Sequence, residues 1–279
     1  MKSNIKYITK QLFTQKQLGD YYGIFNPSYV NKNLGVVRVE KNDLAFKGKR
    51  FNNSCDFYLI KDKEILKLKQ DFLPNTRVED IRLFQYKDSL YSIHSLIRPY
   101  TKWIQCISQI NLKTNTLIPI QSFLSPSFRD EKNWGAFIKD NEIYILYSIS
   151  PFTIFFYKDY KLKMIYNDNF INNEFVGLST LPIEYEDNYL VFYHKILDGV
   201  YIHYALLFDK NTFKPLYYTP EFLFKAYKEP GNNKNVLYFM NCIKYEKTID
   251  IYYGLGDASS HVLTINREEF NKKIYKNEI

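Results

Sequence analysis

A chain of 279 residues is long enough to bury a substantial core in one domain. Its formal charge of +8 comes from lysines spread along the whole length, with no arginine-rich helix or block; this argues against a nucleic-acid footprint and for a solvated basic surface that attracts phosphates. The three cysteines, Cys55, Cys106 and Cys242, are far apart and form no CxxC pair, so neither a disulfide framework nor a zinc site is expected, and a reducing, cytoplasmic setting fits.

Met1 to Gln17 is polar and basic, without the apolar segment of a secretion signal. No apolar run approaches the roughly 20 residues that a membrane helix needs. Beyond this segment the chain reads as strands. Aromatic residues make up 18% of it, and they fall in alternating runs that suit pleated, half-buried surfaces. Leu83 to Tyr86, Leu90 to Ile97, Glu142 to Ile149, Tyr189 to Ile196, Val200 to Phe208, Val236 to Ile243 and Thr248 to Tyr253 are each short, β-rich and bounded by polar turns. Lys61-Asp62, Lys87-Asp88, Lys139-Asp140 and Lys158-Asp159 read as hairpin tips, because an Asp side chain caps local backbone N–H groups. A helix is expected only at Arg267 to Lys276, where Phe270 and Ile274 share a face.

Strands without interleaved helices exclude a parallel α/β sheet. A sandwich, a barrel or a propeller remains, spanning residues 1–279 as a single all-β domain. Propeller blades take about 40–50 residues each, which divides this chain into five or six.

The four histidines, His94, His194, His203 and His261, have no metal-site spacing, and no GxSxG elbow, P-loop or GxGxxG fingerprint occurs. No metal, ATP or nicotinamide cofactor is therefore expected. What remains is a set of polar residues at strand ends. Arg77-Val78-Glu79-Asp80-Ile81-Arg82 sets two acids between two arginines, directly before the strand at Leu83. Guanidinium neighbours hold a carboxylate ionised and oriented, for proton transfer or for binding sugar hydroxyls; the same run also reads as an exposed ion-pair cluster. Arg129-Asp130-Glu131-Lys132-Asn133-Trp134-Gly135 supplies an ammonium, an amide and an indole, groups that hydrogen-bond to and stack on a pyranose, or else form a polar turn with one buried Trp. Tyr193-His194-Lys195 ends a strand with a histidine that is either structural or site-facing. In Tyr252-Tyr253-Gly254-Leu255-Gly256-Asp257 two glycines bend the chain so that Asp257 leaves the strand, as a turn residue or as a ligand to sugar hydroxyls.

Taken in order, Asn26-Pro27, Glu79-Asp80-x-Arg82, Lys132-Asn133-Trp134, Tyr193-His194 and Tyr252-Tyr253-Gly254-x-x-Asp257 resemble the motifs of the β-mannoside phosphorylases, glycoside hydrolase family 130, and of related glycosyltransferases on the same scaffold. The resemblance spans Asn26 to Asp257. It implies a five-bladed β-propeller with its site at the axis. It also implies Asp80 as the proton donor, Arg82 as the arginine of the same motif, and Arg38 as an arginine ending a first-blade strand. Lys132 and Asn133 match a Lys-Asn pair, His194 a histidine near phosphate, and Asp257 a sugar-binding aspartate. Asn26, Glu79, Trp134 and Tyr253 belong to the same motifs and are expected to line the substrate site. Three positions depart from the family. Ile81 replaces a proline, Lys195 replaces a glycine, and Ser150-Pro151 stands where an Arg-Pro pair often grips phosphate.

The implied activity is inverting glycosyl transfer on a mannose-like sugar, by a glycosyltransferase or a phosphorylase. The partners would be a sugar nucleotide or sugar phosphate donor and a glycan acceptor. Arg38, Arg82, Lys132 and His194 would form a basic pocket for the phosphate-bearing part. Serine offers one hydroxyl and no permanent charge in place of an arginine fork, so a sugar nucleotide is expected to serve better than free phosphate. An inverting hydrolase, with Glu79, Glu131 or Asp257 as a second carboxylate about 6.5–9.5 Å from the first, and a non-catalytic sugar-binding propeller are the alternatives.

Overall fold

The computed structural model describes residues 3–8, 23–40, 55–62, 64–73, 76–97, 103–126, 132–171, 176–219, 224–225 and 236–279. Its first strand, β1 (Ser3–Tyr7), is taken up by the last sheet of the chain. Blade one is β2 (Gly23–Asn31), β3 (Leu34–Glu40), β4 (Cys55–Lys61) and β5 (Glu64–Gln70). Blade two is β6 (Arg77–Tyr86), β7 (Ser89–Ile97), β8 (Ile104–Asn111) and β9 (Thr116–Leu124). Blade three is β10 (Gly135–Lys139), β11 (Glu142–Ile149), β12 (Phe152–Lys158) and β13 (Lys161–Asp168). In blade four the inner strand comes in two pieces, β14 (Val176–Leu178) and β15 (Ile183–Tyr185). They are followed by β16 (Asn188–Leu197), β17 (Val200–Asp209) and the edge pieces β18 (Pro215–Tyr218) and β19 (Phe224–Lys225). Blade five is β20 (Leu237–Lys244), β21 (Thr248–Leu255) and β22 (Ser259–Asn266), completed by β1 in the register Ser3↔Ile265 to Tyr7↔His261. The N-terminal strand thus closes the ring, and the fold is a five-bladed β-propeller.

Alternating side chains give each blade two apolar faces, and every pair of neighbouring blades shares one core. Val36, Phe57, Leu83 and Cys106 lie between blades one and two, and Phe84, Ile107, Trp134 and Ile145 between two and three. Phe137, Ile154, Val191 and Phe208 fill the next interface, Phe192, Leu207, Phe239 and Ile251 the one after it, and Ile24, Val37, Tyr252 and Val262 the last. A fully buried side chain of this kind contributes about 1.5–3 kcal/mol over an exposed one.

The helix α1 (Arg267–Ile274) docks on the core between blades four and five through Phe270 and Ile274. Asn266 caps it by accepting from the Glu269 N–H at 3.0 Å, and acids in its first turn and lysines in its last complement the helix dipole. Blades one and two are further joined at the rim, where β5 and β9 pair in parallel at Lys69↔Thr116 and Gln70↔Leu117. Among the described residues no helix is long and apolar enough to cross a membrane.

All four Lys-Asp pairs lie at hairpin tips, with Asp62, Lys87, Asp140 and Asp159 each at positive φ. Because every blade runs up and down, these tips share one end of the propeller and the starts of the inner strands share the other. One expectation changes here. The strand expected to start at Leu83 begins at Arg77, since Arg77 to Glu79 pair with Ile97 to Ser95 before the register shifts. Of the two places open to Asp80, the inner strand or the loop leading into it, the structure gives the strand.

Candidate active site

Four of the five inner strands are broken near the same mouth, and the fifth begins there. β6 bulges between Glu79 and Arg82 with Asp80 at φ 55°, and β2 between Phe25 and Ser28 with Asn26 at φ 51°. β20 shifts register between Phe239 and Asn241. Between β14 and β15, the N–H groups of Ser179 and Thr180 both donate to the Phe192 carbonyl, at 3.0 and 3.1 Å. β10 starts just after Asn133, itself at φ 74°. A bulge re-aims its side chain, and here it turns Asp80 inward, 2% exposed.

The carboxylate of Asp80, on blade two, meets side chains of blades one and three. Asn26 Nδ2 donates to its Oδ1 at 2.9 Å, Arg38 lies 3.8 Å away, and Lys132 Nζ is 3.5 Å from its Oδ2. Glu79 is held by Arg77 at 3.0 Å, Arg38 at 3.6 Å and Lys132 at 3.8 Å, and Glu40 pairs with Arg38 at 3.3 Å and Arg77 at 4.0 Å. Burial alone would raise the Asp80 pKa. The charges of Lys132, Arg38 and Arg82, with the Asn26 hydrogen bond, outweigh it and hold the carboxyl well below the usual range. Asp80 is thus a carboxylate at neutral pH and can accept a proton. Lys132 keeps 39% of its side chain exposed, so the cluster borders solvent there.

Arg82 is 1% exposed and acts as the hub of the ring. It donates to the Ser179 carbonyl at 3.1 Å, to Asn133 Oδ1 at 3.0 Å and to the Tyr238 hydroxyl, which in turn donates to the Leu178 carbonyl at 3.2 Å. One guanidinium therefore ties blade two to blades three, four and five. His194 shares a 2.8 Å hydrogen bond with Ser179 Oγ and stacks on Tyr201 at 4.9 Å. Gly177 makes room for it, since a Cβ there would lie 2.6 Å from the imidazole Nε2. Burial, with the charges of Arg82 and Lys132, lowers the His194 pKa to about 3. It is therefore a neutral hydrogen-bonding group, not the cation that a basic pocket would use.

The structure thus gathers Asn26, Arg38, Glu79, Asp80, Arg82, Lys132, Asn133 and His194 at one mouth. Asp257 joins them at a turn with φ 52°; burial first, then its charge and that of Asp80, raise the Tyr201 pKa against the influence of Lys132. Two expected residues are placed elsewhere. Trp134 is 1% exposed and packs against Phe123 and Tyr147 in the core between blades two and three, so its face is closed to a sugar. Tyr253 is 4% exposed and stacks on His261, while its neighbour Tyr252 stacks on Tyr29. Successive residues of a strand point to opposite blade faces, and both faces there are filled by core. Arg129, Asp130 and Glu131 lie outside the described residues. Ser150 caps the β11–β12 hairpin at the same mouth, with its hydroxyl donating to the Ile171 carbonyl at 2.9 Å.

Sequence reasoning missed Glu40, Tyr201, Tyr238 and Ser179. Glu40 had a signal, because two residues after Arg38 in an alternating strand it shares that face. The other three reach the site only through tertiary structure. Among the described residues no group of His, Cys, Asp and Glu side chains is arranged to hold a metal ion.

An ionised carboxylate buried among cations at the mouth of a five-bladed propeller marks this protein as a carbohydrate-active enzyme. The family model described as beta-1,4-mannooligosaccharide phosphorylase matches residues 116–276, more than half of the chain. The chain belongs to this family, glycoside hydrolase family 130, whose members are mannoside phosphorylases and hydrolases. Its fold is similar to that of the β-1,2-mannobiose phosphorylase from Listeria innocua in complex with β-1,2-mannobiose. The TM-score is 0.65 at 16% identity, covering 92% of this chain and 93% of that one. It is also similar to MPT-4, a mannose phosphorylase from Leishmania mexicana in complex with phosphate ion, with TM-score 0.60 at 12% identity over 88% and 85% of the two chains. No curated protein sequence matches the chain.

Proposed function

We propose that the protein transfers a mannosyl unit, with inversion, between a β-mannoside and a phosphate-bearing group, and that Asp80 moves the proton. The observation that carries this reading is the ionised Asp80 carboxylate set between Lys132 and Arg38. In the synthetic direction the acceptor hydroxyl gives its proton to Asp80, directly or through a sugar hydroxyl, and its oxygen bonds to the anomeric carbon. The bond from that carbon to the phosphate oxygen breaks, and the departing anion is met by Lys132, Arg38 and Arg77. Preorganised charge of this kind stabilises a leaving anion as it develops. In the degradative direction a phosphate oxygen attacks the anomeric carbon while Asp80 returns its proton to the departing glycosidic oxygen. Asp80 must first acquire that proton. A phosphate dianion seated on Lys132 and Arg38 offsets the charges that keep the carboxyl ionised, so phosphate binding itself favours protonation. His194 offers a neutral N–H, and Asp257 accepts from sugar hydroxyls.

The donor is the finer point. The Ser150 hydroxyl is engaged with the Ile171 carbonyl, which favours a sugar nucleotide whose diphosphate and base bring contacts of their own. A cytoplasmic location belongs to the same reading, with Cys55, Cys106 and Cys242 as buried free thiols. The test offers α-mannose 1-phosphate and a nucleoside diphosphate mannose, each with simple mannosides as acceptors, to the wild type and to Asp80→Asn. Asp80→Asn should abolish transfer while donor binding stays measurable. Undiminished transfer by that variant overturns the catalytic assignment, and efficient phosphorolysis by the wild type overturns the nucleotide preference.

A further inference from the structure

Asn26 is the one uncharged side chain described against the Asp80 carboxylate, and its own placement is tightly constrained. Its amide nitrogen donates to Asp80 at 2.9 Å, which fixes the orientation of the amide, since the reverse would set two oxygens against each other. Oδ1 is then buried without a hydrogen-bond partner. It faces Gly254 on β21. A Cβ added at Gly254 would lie 3.0 Å from the Asn26 backbone nitrogen and closer still to Oδ1. Gly254 is not among the residues at positive φ, so its backbone does not demand glycine. The demand is for space alone.

We infer that Gly254 is a positioning residue, whose missing side chain seats the Asn26 amide and through it the Asp80 carboxylate. Asn26 cannot give way easily. It sits on a bulge at φ 51°, where a non-glycine backbone has little freedom. A methyl group at 254 therefore displaces the amide, and Asp80 loses a hydrogen bond that favours its charged form. The glycine of the Tyr252-Tyr253-Gly254 run thus acts on the chemistry from a strand that offers the substrate no side chain at that position. This rests on Asp80 being the proton-transfer group.

The experiment compares Gly254→Ala on two backgrounds, the native chain and Asn26→Ser, whose shorter side chain removes the tightest contact, that with Oδ1, and leaves only the approach to the backbone nitrogen. Asp80 is titrated by carbon NMR in the ligand-free protein, and transfer from α-mannose 1-phosphate to a mannoside is measured alongside. On the native background Asp80 should titrate higher than in the wild type, with kcat down about tenfold or more and the KM for the donor within about threefold. On the Asn26→Ser background the same substitution should cost less than about threefold, as coupled neighbours require. If Gly254→Ala alone does not fold, the paired variant should still fold with a Tm near that of Asn26→Ser. An unchanged Asp80 titration, or equal losses of activity or of Tm on both backgrounds, overturns the inference. Retained transfer in Asp80→Asn would instead overturn the proposed chemistry, while the titration still decides the role of Gly254.

Discussion

Lys132 reaches Asp80 across the boundary between blades two and three, with Nζ 3.5 Å from Oδ2. Burial disfavours the charge on Asp80, and Lys132 is the foremost of the groups that restore it. Replacing Lys132 with Met should therefore raise the Asp80 pKa. For transfer in the synthetic direction, which needs the carboxylate, the acid limb of kcat/KM against pH should move upward by about one unit or more. Lys132→Arg should leave the limb nearer its original place. An unmoved limb in the Met variant would show that Asp80 draws its charge from elsewhere.

His94, His194, His203 and His261 are all at most 6% exposed, and burial lowers each of their pKa values: to about 3 for His94 and His194, well down for His203, and to about 4 for His261. They stay neutral when folded, whereas the unfolded chain protonates them at about 6.5. Stability is thus fully present above the unfolded value and is lost as pH falls below it, with each histidine adding a slope of up to about 1.4 kcal/mol per pH unit. Urea unfolding at pH 7, 6 and 5 should show a steep decline. A flat profile over that range would contradict the burial of these side chains.

Arg82 donates to partners in blades three, four and five from a site with 1% exposure. Lysine keeps the charge but cannot reproduce a planar fork of donors. Arg82→Lys should cost about 3–5 kcal/mol by chemical denaturation, in the range for breaking a buried charged network. It should also lower kcat, because Asn133 and Tyr238 lose their common anchor. A loss under 1 kcal/mol would mean that the ring is held by its apolar interfaces alone.

Trp134 and Tyr201 separate packing from binding. Trp134→Phe should lower stability by about 0.5–3 kcal/mol and leave the KM for sugar substrates unchanged. Tyr201→Ala should raise that KM with a smaller effect on Tm, since Tyr201 is only half-buried, stacks on His194 and feels the charges of Asp257 and Asp80. The opposite pattern would return the indole to the role that its position in the sequence implied.

Local features were the legible ones. Period-two patterning placed β11, Glu142–Ile149, to the residue, and the Lys-Asp pairs marked turns because the physics of an Asp turn is contained in the turn itself. The resemblance supplied the blade count, which no repeat in the sequence displayed. Patterning failed at Asp80, where a bulge lets a strand continue through an irregularity that reads as its beginning. At Trp134 and Tyr253 it was the resemblance that misled, because a motif match does not tell whether another blade covers a side chain; the alternative of one buried Trp beside a polar turn is what the structure holds. Ser179 and Tyr238 gave no sign, since their role depends on Arg82 arriving from 97 and 156 residues away.

The parallel pairing of β5 with β9 has a mechanical consequence. Among the described residues, the other neighbouring blades are separate sheets, held by side-chain packing, by ties near the axis and, between blade four and the tail that follows α1, by the Tyr217↔Glu278 bridge and the Ile279 N–H donating to the Leu216 carbonyl at 2.8 Å. Blades one and two are also bonded at the rim, where the Lys69 N–H donates to the Asn115 carbonyl at 2.7 Å and the Asp71 N–H to the Leu117 carbonyl at 3.2 Å. A wedge pinned at both its apex and its base has no hinge about which to open. Arg38 and Glu40 on one side and Arg77 and Glu79 on the other, which form one ion-pair cluster beside Asp80, are carried on that wedge. Any flexing of the ring is therefore concentrated at the boundaries without a rim bond, among them the one between blades two and three. Lys132, mounted beyond the wedge on the third blade, is the charged partner of Asp80 whose distance then changes.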